Sequence, residues 1–123
     1  MPRYNKHAYL LERIVYYCDE IERTVNRFGY SFEVFVSDPV YQNACAMCIL
    51  QIGELASRFN DSFRTKHTAI PWRAIKGMRN ILAHEYEKVN YEEFWNTIVI
   101  DIPILKACCK RITPLIDDPT DIF

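Results

Sequence analysis

Glycine is scarce in this chain, with only three among 123 residues. So few leave little material for tight turns, and no stretch reads as alternating strands joined by hairpins, which argues against a β-rich fold. Long apolar runs are also missing, since none approaches the ~18–20 residues of a membrane span. The opening "MPRYNKHAYLLERI" has neither the apolar stretch nor the small-residue cleavage site of a secretory signal. A cytoplasmic location without a membrane partner is therefore expected. Neither charge sign dominates. A net charge of −1 gives no overall reason to bind nucleic acid, so such binding would have to come from a local basic patch.

Paired cysteines are missing as well. Five cysteines, Cys18, Cys45, Cys48, Cys108 and Cys109, form an odd set that fits buried, reduced thiols better than a disulfide framework. Cys45 and Cys48 have the spacing of metal ligands, but three residues apart on a helix is also how two core positions repeat. No second C-x2-C or H-x3-H pair accompanies them. Cys108 and Cys109 are adjacent, so on a helix they point in different directions. Neither a metal nor a cofactor is expected.

What the chain has in abundance is helical periodicity. Tyr9, Leu10, Ile14, Tyr17, Cys18, Ile21, Val25 and Phe28 recur at three- and four-residue steps up to Gly29, a suitable residue to end a helix. "SFEVF" (31–35) is expected to form only a short turn. Asp38-Pro39 should open a second helix, with Tyr41, Ala44, Cys45, Cys48, Ile52, Leu55 and Phe59 on its apolar stripe. The polar "NDSFRTKHT" interrupts it, and a third helix should start at Pro71. A fourth runs from Asn90 towards Ile112, with Glu93 completing a capping box and Val89 and Phe94 forming a hydrophobic staple. Pro103 should kink it. The pattern predicts one all-α domain over residues 1–123, an up-and-down four-helix bundle with an additional short helix. Residues 112–123 should be a partly frayed tail.

The third helix carries "GMRNILAHEY" (77–86), in which four hydrogen-bonding side chains surround a short apolar core. At about 100° per residue, Ile75, Met78, Ile81 and Leu82 form the buried side. Arg73, Lys76, Gly77, Asn80 and His84 lie opposite. Arg79 and His84 are about 140° apart on an ideal helix. They must either flank a shared groove or meet because the helix frays near Ala83. Tyr86 falls on the side of Arg79 if the helix persists that far. Gly77 leaves room for a backbone or a phosphate. The plainer alternative is a solvated basic face, with a histidine favoured by the helix dipole and a tyrosine covering the core edge. Glu54 follows Gly53 on a core-packing helix and calls for a cationic partner, with an arginine of the third helix as the candidate. Trp72 and Trp95 read as core or interface anchors.

"IPWRAIKGMRNILAHEYEKVN", preceded by "QNACAMCILQIGELA" at 42–56, resembles the HepT-like toxin family of the HEPN superfamily. The likeness runs from about Tyr9 to Leu105. It rests on the "IGE" of the second helix, the "PW" entry and the R-x4-H-x-Y motif in the expected helix. One departure is Leu55, where relatives often carry alanine, and it bears on packing rather than chemistry. The resemblance implies an all-helical, metal-independent endoribonuclease toxin working as a homodimer with paired motifs lining one cleft. It also implies a minimal nucleotidyltransferase antitoxin as partner, able to silence the toxin by transferring AMP onto the motif tyrosine. Carried over, the roles fall on Arg79 and His84 as catalytic residues and Tyr86 as the modified one. From the polar face of the helix, beside those roles, Asn80 is expected to orient the site and Arg73 and Lys76 to contribute more weakly to binding the RNA backbone. The resemblance leaves open a catalytically inactive module that binds and regulates a nucleotidyltransferase.

Overall fold

The structure is a computed structural model that describes residues 5–116. These residues are helical almost throughout, with no strand among them. Helix α1 (Lys6–Phe28) starts where the Asn5 side chain accepts the Ala8 amide at 3.1 Å, and ends at Gly29. Gly29 adopts φ +119°, a conformation open to glycine. Helix α3 (Pro39–Ala56) is capped by Asp38, which accepts from the amides of Val40 and Tyr41, with Pro39 in the first turn. Helix α5 (Trp72–His84) begins one residue after Pro71, which takes the cap position. Asn90 caps the last long element through the Glu93 amide at 3.0 Å. Val89 and Phe94 are both buried there, as a staple requires.

Two segments expected to be irregular are helical. "SFEVF" contributes to α2 (Phe32–Ser37), because Ser31 caps the Val34 amide and Phe35 is completely buried. "NDSFRTKHT" contains α4 (Asp61–Lys66), capped by Asn60 and anchored by buried Phe63. Each is only six residues long, too short to show a period, so tertiary burial of one phenylalanine decides the outcome. Phe59 is buried but lies in the turn after α3 rather than on it. Tyr9, placed on the apolar stripe of α1, is 45% exposed.

The last element is continuous but not uniform. Helix α6 (Tyr91–Asn96) passes through a π-type segment, Thr97–Asp101, into α7 (Ile102–Ile112). The Ile102 amide donates to the Thr97 carbonyl five residues back. Pro103 explains the wider turn: its ring cannot pack under the carbonyl four residues earlier, so the backbone expands just upstream. Thr113–Ile116 forms a 3-10 turn whose Ile116 is buried, and Asn5 donates to its carbonyl at 2.6 Å. The rest of the expected tail, 117–123, lies outside the described residues.

α1 packs on α3 and α7, α3 on α5, and α5 on the π segment, which closes a four-membered helical ring. All five cysteines are free and buried in that ring. Burial, followed by the neighbouring Cys48, pushes Cys45 up to about 12, and burial, followed by Glu20, pushes Cys48 up to about 11. These thiols stay protonated at neutral pH and pack as small apolar groups. Trp95 belongs to an aromatic cluster with Phe35 and Tyr41, as an anchor should. No described helix is long and apolar enough to cross a membrane.

Candidate functional site

The polar side of α5 is positioned by α3. Arg79 rises from α5 across the C-terminal half of α3, and its guanidinium donates to Glu54 Oε2 at 3.4 Å and to Asn80 Oδ1 at 3.1 Å. Glu54 thus has the cationic partner its place in the sequence called for. The carboxylate is not buried, however: its side chain is 51% exposed and that of Arg79 is 34% exposed. A pair this wet is worth about 0–1 kcal/mol, too little to fix the arginine by itself.

Gly53 is what fixes it. A Cβ built there would lie 2.3 Å from Cγ and 2.5 Å from Cβ of Arg79, closer than any real contact. The root of the arginine therefore sits directly on the α3 backbone, where only a glycine leaves space. The guanidinium then stands at the head of a groove of about 620 Å³, where Asn80 and Lys76 also lie.

The other motif residues separate from this point. α5 stays helical through His84, and the Glu85 amide donates to Ile81 O at 2.7 Å, so the helix does not fray at Ala83. His84 is exposed at the end of the helix, about 140° around and ~7.5 Å along from Arg79 by helix geometry. Helix α5 does not continue to Tyr86. That residue enters a 3-10 turn, Tyr86–Lys88, and its phenol donates to Asn43 Oδ1 on α3. Tyr86 and Arg79 are therefore not aligned by helical register. Burial, then Tyr91 and Cys45, raises the Tyr86 phenol above its ordinary range. Arg73 is exposed and does not line the groove that holds Lys76. Gly77 is exposed, and a Cβ there would meet nothing within 4 Å, so no neighbouring helix uses its space.

Asn43 and Gly53 escaped the reading of the sequence. Asn43 gave no signal, because its role appears only when Tyr86 folds back over α3. Gly53 did give one, a glycine in the interior of an apolar helix.

Fold and site define an all-helical bundle with a cationic groove headed by one arginine of α5. Against known proteins, the ribonuclease HepT-like family profile matches residues 14–112. "Putative RNase TTE0752" of Caldanaerobacter subterraneus is 42% identical over 102 residues, covering 83% of this chain and 89% of that protein. "Putative RNase MJ1216" of Methanocaldococcus jannaschii is 31% identical over 112 residues, covering 91% of this chain and 90% of that protein. "Probable ribonuclease HepT" of Thermococcus cleftensis is 35% identical over 81 residues, covering 66% of this chain and 74% of that protein. No solved structure gives a significant match. The chain belongs to the HepT-like ribonuclease family.

Proposed function

We propose that this protein is a metal-independent endoribonuclease, the toxin of a toxin–antitoxin pair, with Arg79 and His84 as its catalytic residues. The observation that carries the reading is Arg79, seated on Gly53 at the head of a groove that also holds Lys76 and Asn80. A guanidinium donates two parallel hydrogen bonds to a phosphate and keeps its charge, so it suits a phosphorane-like transition state.

In the reaction the RNA 2′-oxygen attacks the adjacent phosphorus and the bond to the 5′-oxygen breaks. One group takes the 2′ proton and another supplies a proton to the leaving oxygen. Imidazole suits both transfers, each worth roughly 10²–10⁴-fold. Each chain has one histidine in the motif, His84. A homodimer supplies two to a single cleft.

α3 supports that pairing. Val40 and Met47, 64% and 57% exposed, share its outer face with Asn43, which accepts from the Tyr86 phenol, and Glu54, which accepts from the Arg79 guanidinium. A second copy docked on this apolar stripe would flank both positions.

Tyr86 is the proposed site of silencing by a nucleotidyltransferase. Its phenol oxygen attacks the α-phosphate of ATP and pyrophosphate leaves. The phenol proton passes to a base, which on this reading the transferase supplies. The adduct adds bulk and negative charge that repels incoming RNA phosphate.

The test is cleavage of bulk RNA in EDTA by wild type, Arg79→Ala and His84→Ala. Wild type should cleave, and each folded variant should lose at least about a hundredfold in rate. Full activity in either variant removes the assignment. An inactive wild type favours the silent regulatory module. Mass spectrometry after incubation with a cognate nucleotidyltransferase and ATP should add one AMP to wild type and none to Tyr86→Phe.

A further inference from the structure

The groove headed by Arg79 does not stop at the motif. It runs back along α5 from Asn80 and Lys76 to Trp72, and its far wall is α4, which contributes Arg64 and Asp61. Trp72 and Arg79 are seven residues apart on α5, about 10 Å of helix rise. Its lining cations are Arg64, Lys76 and Arg79 and its lining carboxylate is Asp61, with Glu54 paired to Arg79 from α3.

Trp72 is held in a fixed pose. Its indole N–H donates to the His67 carbonyl at 3.0 Å, and the ring packs edge-on to Phe59 with centroids 5.4 Å apart. The half-buried indole contributes its remaining surface to the groove. An aromatic ring locked beside a cationic track is the arrangement that binds single-stranded nucleic acid, with bases on the ring and phosphates on the cations. Arg64 pairs with Asp61 at 3.0 Å, but the Asp61 side chain is 97% exposed. That pair is weak enough for an RNA phosphate to displace.

We propose that this groove is a nucleotide subsite. The single-stranded RNA next to the phosphate on Arg79 lies along α5, its neighbouring phosphate held by Lys76 and Arg64 and a base set against Trp72. The proposal rests on the ribonuclease reading and extends it to α4, a helix outside the R-x4-H-x-Y motif. Arg64 and Trp72 are positioning residues here, and neither touches the reacting atoms.

The probe is a short 2′-O-methyl oligoribonucleotide, which has no free 2′-hydroxyl and so reports binding without cleavage. Fluorescence is read in Trp95→Phe, which leaves Trp72 as the sole tryptophan. Affinity is read for wild type, Arg64→Ala and Arg79→Ala. The oligonucleotide should change Trp72 emission. Arg64→Ala should weaken binding about three- to fivefold, the range of an exposed ion pair. It should also lower the salt slope by about one. If Trp95→Phe fails to fold, the Arg64 affinity and salt slope decide alone. Unchanged affinity and slope in Arg64→Ala, with binding lost in Arg79→Ala, overturns the subsite and leaves the ribonuclease reading standing. Unchanged binding in Arg79→Ala as well overturns both, and so does a wild type that binds no oligonucleotide.

Discussion

At the scale of single residues, the site depends on a group with no chemistry of its own. Gly53 lets α3 and α5 approach until the Arg79 side chain lies on the α3 backbone. The ion pair to Glu54 is too exposed to do that work. Gly53→Ala forces a methyl group against Cβ and Cγ of Arg79. Because Cβ is rigidly attached to α5, the helices must part rather than a side-chain tip swing away. The expected result is a loss of about 1–3 kcal/mol in stability, with RNA cleavage falling by at least about tenfold. Denaturant melts and single-turnover cleavage rates check the two parts. A variant with normal activity would show that Arg79 needs no such seat. The glycine was legible as an anomaly inside an apolar helix, but its purpose was not, because nothing local specifies which side chain crosses it.

Among the elements, the long helices follow their periodicity and caps, whereas α2 and α4 form because one phenylalanine each is buried elsewhere. The same logic governs the thiols that line the helical seams. Cys18 on α1, Cys45 and Cys48 on α3 and Cys109 on α7 are all raised above their ordinary range, with burial the first cause in each. In the unfolded chain they ionise near 9, whereas in the folded chain they stay protonated. Between about pH 9 and 12 the unfolded state binds fewer protons, so stability must fall as pH rises through that window. Below it these groups contribute no pH dependence. Thermal melts at pH 7.5 and pH 10, compared with a Cys48→Ala variant, check this. A melting temperature flat across that range would contradict it.

On the scale of the whole molecule, the exposed apolar stripe of α3 has no cover within the described chain. Val40 and Met47 stand on the same face as Asn43 and Glu54, the hydrogen-bond partners of Tyr86 and Arg79. Under the homodimer reading, Met47→Glu puts a charge into the interface without touching the core of the protomer. Light scattering should then give a monomer with an unchanged circular dichroism spectrum, and cleavage should be lost because one protomer has a single His84. A monomeric variant that cleaves at the wild-type rate would mean the site is complete within one chain.

The sequence by itself determined the all-helical class, the starts and stops of the long helices, the buried thiols and the helix that carries the polar cluster. Those features depend on residues a few positions apart, through caps, periodicity and proline geometry. Only the tertiary structure decided that α5 stays intact to His84, that Tyr86 turns back to Asn43, and that Arg79 rests on Gly53 at the end of a groove walled by α4. Each of these joins residues that are local on no helix, and burial in a shared core, which no window of sequence contains, selects them.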